Sequence, residues 1–191
     1  DEFDNNDGSL NLQNWEYELG NGCDIGLCGW GNNELQIYTQ ENLVVSSGTM
    51  KIIATREKKQ TNIDTTGNSN NQYYTYQSSR IRSKNKADFL YGHFEARIKL
   101  PIGQGIWPAF WMMPTDSDQY YGIWPRSGEM DIMEALGHEV STIHGTVHYS
   151  DHPVPDTAAN HLWWTQPTDI LEGDRFSDDF HDFSIQWTRS N

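Results

Sequence analysis

Three acidic residues lie close together in the otherwise apolar segment 129–134, which reads EMDIME. Successive residues of a β-strand point to opposite faces, so Glu129 and Asp131 are expected to share a face. Glu134 is five positions from Glu129 and would point away from that face in a regular strand. A β-bulge within Ile132–Met133 adds one residue and returns Glu134 to the acidic face.

Three carboxylates on one face repel one another when all are ionised. At least one pKa is therefore expected to be raised, which leaves a proton to donate at neutral pH. A carboxylate beside a carboxylic acid is the requirement for glycoside hydrolysis. With a strand rise of about 3.3 Å, the spacing approaches the roughly 5–5.5 Å separation of retaining enzymes. A solvated acidic strand face and metal binding by the acids are the alternatives that this pattern leaves open.

Tryptophans surround the acidic segment in the sequence. Trp107 and Trp111 are four apart in a predicted strand and would share a face, Trp124 lies just before the acids, and Trp163 and Trp164 follow. Indole rings stack on the faces of sugars, so acids together with tryptophans predict a carbohydrate-binding cleft. Core packing is the alternative for any single tryptophan.

The histidines need a separate explanation. His144, His148 and His152 are spaced by four, which would suit a metal site on a helix. The intervening Gly145, Thr146 and Val147 favour a strand instead, and metal ligation is the minor alternative. His148 is predicted to contact sugar hydroxyls or a catalytic carboxylate.

The elements that must position these residues are predominantly β-strands. Many short strands joined by glycine, asparagine and aspartate turns predict an all-β sandwich or barrel. Segment 62–71 is predicted to be an exposed loop, and 151–182, which is poor in strand signal, a long functional loop. The predicted strands are Leu35–Gln40, Leu43–Val45, Thr49–Thr55, Tyr73–Arg82, His93–Leu100, Ala109–Met113, Met130–Ala135, Ser141–Tyr149 and Phe183–Thr188.

Composition limits the partners of the chain. Its 191 residues and 22.0 kDa suffice for one domain spanning 1–191. The formal net charge of −14 disfavours nucleic acid and anionic membranes as partners. No apolar run approaches the roughly 20 residues of a membrane helix. The sequence starts with no basic-then-apolar segment, so we expect that any secretion signal has been removed.

The two cysteines indicate the cellular compartment. Cys23 and Cys28 lie five apart in a glycine-rich stretch. A small structural disulfide is the predicted state, which favours an oxidising compartment and a secreted protein. Two reduced thiols are the alternative.

The acidic segment resembles the E-x-D-x-x-E signature of glycoside hydrolase family 16. The extra residue before the last glutamate resembles the bulged form found in the laminarinases of that family, which are endo-1,3-β-glucanases. Other stretches are similar to the same branch, and they occur in the expected order along nearly the whole chain: Asp1–Phe3, Trp30–Gln36, Tyr91–Arg97, Gly105–Met112 and Gly145–Tyr149.

The resemblance implies a fold and a mechanism. The fold would be a concanavalin A-like β-jelly-roll sandwich of two antiparallel sheets, with the cleft across the concave sheet. Glu129 would be the nucleophile, Glu134 the general acid/base and Asp131 the assistant to the nucleophile, in a retaining double displacement. The residues at family sugar-contact positions are Asn33, Arg80, Trp107, Trp111, Trp124 and His148.

The resemblance also implies which partners to expect. Catalysis would need no cofactor, and the polymeric partner would be a β-1,3-linked glucan. Glu2 and Gly48 match two positions of a structural calcium site found in the family. Family domains continue with further strands beyond Trp187, so we expect a truncated domain whose sandwich is completed by a missing C-terminal segment or by a partner.

Alternative functions stay open at this stage. One is a β-glucan recognition protein without catalysis, although such relatives lack the carboxylates that this chain retains. A relative acting on mixed-linkage β-glucan is another. Sulfated galactans are disfavoured by the negative net charge, and a metal-dependent hydrolase using the histidines would lose activity in chelator.

Overall fold

Runs of β-branched and aromatic residues, separated by turn-forming glycine, asparagine and aspartate, form most of the secondary structure. The computed structural model describes residues 1–4, 8–61, 72–116, 122–151 and 161–189. These described residues contain thirteen β-strands and two short 3₁₀ helices, at Cys23–Ile25 and Cys28–Gly31. The strands are β1 Glu16–Tyr17, β2 Gln36–Tyr38, β3 Leu43–Ser46, β4 Thr49–Ile52, β5 Thr55–Thr61, β6 Gln72–Ser78, β7 Ile81–Arg82, β8 Gly92–Ile98, β9 Ala109–Met112, β10 Glu129–Glu134, β11 Thr142–Tyr149, β12 Leu162–Asp169 and β13 His181–Trp187.

The first compact unit spans Asp1–Asp88. It contains the pairs β1–β7 and β3–β4 and a three-stranded sheet in the order β2-β6-β5, in which β2 and β6 run parallel. A small core of Leu10, Leu43 and Val45 joins β3 to residues of β1, β4 and β7 that pack against it. Cys23 and Cys28 form a disulfide in this unit, as the sequence predicts.

The second compact unit spans Phe89–Asn191. It contains an antiparallel four-stranded sheet in the order β12-β11-β10-β9 and the antiparallel pair β13–β8. Its core combines residues from β10 and β13 with residues from the connecting segments: Leu100, Ile132, Met133, Ala135, Phe176 and Phe183. The acidic strand β10 lies between β9 and β11, and its Ile132 and Met133 side chains lie in the core.

The all-β prediction is confirmed, with three corrections to the elements. Two predicted strands are each divided in two. After β4, the Ile53 N–H donates to the Asn42 carbonyl, and between β6 and β7 the Arg80 carbonyl accepts from the Glu18 N–H. These bonds turn the backbone away from its ladder partner. The predicted loop 62–71 lies outside the described residues.

The third correction concerns the segment 151–182, for which a long loop is predicted. That prediction is wrong, because β12 pairs with β11 over eight residues from Leu162 to Asp169. All eight β12 residues are exposed, so the strand lacks the alternation of apolar and polar residues that would reveal it. Pro167 also lowers its strand propensity, although proline is tolerated in an edge strand.

None of the helices in the described part of the chain has the length and apolar character needed to cross a membrane.

Gly20 and Gly22, two glycines near the disulfide, differ in how closely their surroundings pack against them. Gly20 and Gly22 have nearly the same left-handed φ, +77° and +79°. A Cβ at Gly22 would lie 2.3 Å from the Leu27 carbonyl oxygen, whereas a Cβ at Gly20 meets nothing within 4 Å. Gly20→Ala should therefore cost about 1–2 kcal/mol of unfolding free energy from backbone strain alone. Gly22→Ala should cost a further ~1–3 kcal/mol from the clash.

Urea unfolding of the two variants measures this difference directly. Equal losses of unfolding free energy would contradict the close packing of Gly22 against Leu27.

Candidate active site

A β-bulge brings the three carboxylates of β10 to one face. Glu129 pairs with His148 of β11, Asp131 with Thr146 and Glu134 with His144. The three residue steps from Asp131 to Glu134 therefore lie opposite only two steps of β11. The pairing with β9 shows the same shift between Asp131 and Met133. The bulge that the sequence predicts is confirmed.

The two residues inside the bulge explain why it forms there. Ile132 and Met133 are consecutive, yet both are buried in the core of the second unit, and Met133 is only 1% exposed. A regular strand would send one of the two side chains to the acidic face. Burying both apolar side chains requires the extra residue, which in turn places Glu134 beside the other acids.

Asp131 lies at the centre of the group and is 5% exposed. Its Oδ2 lies 3.1 Å from the Nε2 of His148, and within the described residues this oxygen has no hydrogen-bond partner of good geometry. Burial, followed by the charges of Glu129 and Glu134, raises the pKa of Asp131 to about 8. This shift favours the protonated form of the Asp131 carboxyl at neutral pH, and a hydrogen bond to Glu129 acts in the same direction.

Glu134 accepts a hydrogen bond from a tryptophan that precedes β9. The Nε1 of Trp107 donates to Oε1 of Glu134 at 2.9 Å. Burial raises the pKa of Glu134, and the negative charge of Glu129 adds to this rise. The Trp107 bond and the nearby His148 and His144 act in the opposite direction, because they favour the ionised form.

Glu129 accepts a hydrogen bond from a second indole. The Nε1 of Trp124 donates to Oε2 of Glu129 at 2.5 Å. The next residue, Pro125, is fully buried and anchors the backbone beside this ring. Trp107 and Trp124 keep 52% and 41% of their surface exposed, so both rings bind a carboxylate at one edge and present apolar surface to solvent.

A second histidine, which the sequence analysis does not single out, completes the group. His161 Nε2 lies 2.8 Å from His148 Nδ1, and its ring centroid is 4.6 Å from that of Trp124. Burial and the neighbouring His148 lower the pKa of His161. His161 immediately precedes β12, so a strand prediction for this segment would have placed residues 161 and 163 on one face.

The other predicted site residues are distributed as follows. Trp111 lies on β9 directly opposite Asp131, whereas Trp107 lies before β9 and not within a strand shared with Trp111. Trp107 reaches the acids nonetheless. Asn33 and Arg80 belong to the first unit, where Arg80 forms an ion pair with Glu18 and lies over the ring of Trp30 at 4.3 Å.

Metal ligation has one candidate group among the described residues. One donor atom from each of Glu129, Asp131 and His148 lies within 4.8 Å of the others. His144 is not in this group and instead lies 3.2 Å from Glu139, while His152 lies outside the described residues.

The predicted calcium ligands do not form a site by themselves. Calcium takes 6–8 oxygen ligands. Glu2 is exposed, Gly48 lies in the turn between β3 and β4, and neither belongs to a group of metal-binding side chains in the described part of the chain. A structural calcium ion at Glu2 and Gly48 therefore stays a prediction.

Carboxyl groups of unlike pKa, gathered on one sheet face beneath exposed indoles, are the arrangement of a glycosidase. Residues 31–191 match the glycosyl hydrolases family 16, and the chain belongs to that family.

Individual relatives agree with this assignment. Over 196 residues the chain is 37% identical to the glucan endo-1,3-beta-glucosidase A1 of Niallia circulans, covering 100% of this chain and 26% of that protein. Over 196 residues it is 40% identical to the glucan endo-1,3-beta-glucosidase of Cryptopygus antarcticus, covering 98% of this chain and 61% of that protein. The chain thus spans less than two thirds of the length of either relative.

A solved structure shows the same fold. The endo-beta-1,3-glucanase from Pyrococcus furiosus superimposes with a TM-score of 0.81 at 40% identity, covering 98% of this chain and 65% of that one. The jelly-roll fold class and the laminarinase-like resemblance that the sequence predicts are therefore confirmed.

The effect of the Trp107 hydrogen bond on the pKa of Glu134 can be tested by removing the donor. Trp107→Phe keeps an aromatic ring but removes the N–H that stabilises the ionised carboxylate. The pKa of Glu134 is therefore expected to rise further in this variant. Carbon-13 NMR titration of labelled glutamate carboxyls measures it, with Trp164→Phe, on the opposite face of β12, as the control. A Glu134 pKa that stays the same or falls in Trp107→Phe would contradict the described bond.

Proposed function

We propose that the protein is a retaining endo-1,3-β-glucanase that cleaves laminarin-type glucan by double displacement. The observation that carries the proposal is the trio of carboxylates on one face of β10, each in a different environment. Relatives named as 1,3-β-glucanases at 37% and 40% identity support the linkage.

Glu129 is the proposed nucleophile. Trp124 donates to one of its oxygens, and the protonated Asp131 also donates to Glu129. These two donors fix the orientation of the carboxylate, and they reduce its repulsion from its neighbours. An oriented carboxylate can attack the anomeric carbon and form a covalent glycosyl–enzyme intermediate.

Glu134 is the proposed general acid and base. Its raised pKa keeps a proton available, which Glu134 transfers to the glycosidic oxygen as that bond breaks. The resulting carboxylate then takes a proton from water, which attacks the anomeric carbon and releases Glu129. Trp107 stabilises the ionised state of Glu134 between the two steps.

The proposed sugar contacts divide into two groups. Trp107, Trp124 and His148 adjoin the carboxylates, and Trp111 lies on the strand next to Asp131. Asn33 and Arg80 stay predictions from the resemblance, and Arg80 is already engaged by Glu18. The net charge of −14 supports a neutral glucan over a sulfated polysaccharide.

Four further predictions accompany this function. Secretion is supported by the Cys23–Cys28 disulfide. Catalysis needs no cofactor, so activity on laminarin is expected to persist in EDTA. Calcium binding through Glu2 and Gly48, and completion of the sandwich by a further segment or partner, stay predictions.

Proton NMR of laminarin during digestion tests the proposal. New β-anomer reducing ends should appear before mutarotation, because two displacements retain configuration. Glu129→Ala should lose this activity, and added azide should restore turnover as an α-glycosyl azide. Binding of laminarin without new reducing ends would favour the recognition-protein alternative, and initial α-anomers would contradict the double displacement.

The bulge offers a second test. Deleting Met133 restores a regular strand and should turn Glu134 away from the other acids, with a loss of laminarin hydrolysis of about 10²-fold or more. Met133→Ala is the matched control, because it creates a similar core defect but keeps the extra residue. It should lose stability, by about 2–5 kcal/mol, while the folded fraction keeps most of its activity.

Melting curves of both variants establish that a folded protein is assayed. Equal activity of the deletion variant and Met133→Ala would show that the bulge does not position Glu134.

A further inference from the structure

We propose that Trp163 forms a separate glucosyl-binding subsite at the edge of the four-stranded sheet, and that this subsite makes cleavage depend on substrate chain length. The inference rests on the proposed function, which does not itself assign a role to Trp163.

The register of the sheet places Trp163 in line with the nucleophile. Glu129 on β10 lies opposite His148 on β11, and His148 lies opposite Trp163 on β12. Residues paired across neighbouring strands point to the same face, so these three side chains form one row. Two strand spacings separate Glu129 from Trp163, about 9.5 Å, which is roughly the length of two sugar rings.

A continuous series of rings joins the two positions. The centroid of His161 lies 4.6 Å from that of Trp124 and 5.2 Å from that of Trp163. His161 thus fills the space between the tryptophan that binds Glu129 and the tryptophan at the sheet edge. A polysaccharide chain crossing the strands over Glu129 would pass from one indole to the next.

The exposure of Trp163 fits a binding role. The side chain is 63% exposed, although a tryptophan buries a large apolar area when it packs. The ring of His161 lies against that of Trp163 with its plane tilted by 44°, and this contact still leaves more than half of the Trp163 side chain exposed to solvent. A flat apolar face suits the C–H faces of a neutral glucosyl ring, whereas an extended acidic partner would be repelled by the net charge of the chain.

The adjacent Trp164 provides a matched control. It is 59% exposed but pairs with Val147, so it points to the opposite face of the sheet from His148 and Glu129. The two residues have the same chemistry, nearly the same exposure and the same strand. Only Trp163 lies on the face of the carboxylates.

The experiment compares kcat/KM for laminari-oligosaccharides of two to six glucosyl units. The ratio of the longest to the shortest substrate should fall about tenfold in Trp163→Ala, the equivalent of about 1.4 kcal/mol. Trp164→Ala should keep the wild-type ratio, and Trp163→Tyr, which preserves a flat ring, should recover most of it. An unchanged ratio in Trp163→Ala would overturn the inference, and so would an equal loss on all chain lengths.

Binding measured without turnover separates this inference from the proposed function. Isothermal titration calorimetry compares the Glu129→Gln variant with the double variant that also carries Trp163→Ala. The second substitution should weaken the binding of laminarihexaose and leave the binding of laminaribiose unchanged. If Trp163→Ala weakens binding of the longer ligand selectively but the wild-type protein releases no reducing ends, the proposed hydrolase activity is wrong and the proposed subsite is supported. If the wild-type protein hydrolyses laminarin and Trp163→Ala has no effect on binding, the hydrolase is supported and the subsite is overturned. A protein that neither binds nor cleaves these glucans overturns both proposals.

Discussion

The burial of two consecutive apolar side chains, Ile132 and Met133, is the constraint on which the candidate site depends. A strand that must send both side chains into one core has to gain a residue, and the bulge supplies it. The same extra residue brings Glu134 to the face of Glu129 and Asp131. The core and the site are therefore specified together: the residues that stabilise the second unit also set the spacing of the acids. A change that removes the extra residue at this point would alter the chemistry without touching a carboxylate.

The three acids differ in their hydrogen-bond donors, their burial and their protonation. The two outer glutamates each accept an indole N–H, from Trp124 and from Trp107. Asp131 is the most deeply buried of the three, and its burial, together with the charges of Glu129 and Glu134, favours a proton on this carboxyl. Repulsion between like charges would destabilise three ionised acids, and this repulsion favours the neutral form of one of them. The charged and neutral forms then hydrogen-bond to each other instead of repelling.

Much of this arrangement follows from the sequence, because a period of two and a core that excludes charge allow few alternatives. The spacing of Glu129, Asp131 and Glu134 is enough to predict the bulge, and the tryptophans predict a carbohydrate site. Strand β12 could not be predicted, since its eight exposed residues carry no alternating pattern. Without β12, His161 has no apparent connection to His148. The partners of Trp107 and Arg80 also depend on tertiary contacts that local patterns do not contain.

The position of Pro167 in β12 has a consequence for the behaviour of the protein at high concentration. Among the described residues β12 pairs with β11 alone, so its outer edge has no partner strand in this part of the chain. Open edges of long strands are templates for intermolecular pairing and aggregation. Proline lacks the N–H that an added strand would need, so a ladder started at one end of β12 is interrupted at residue 167. Pro167, which lowers the strand propensity of β12, thus also limits its growth into larger assemblies.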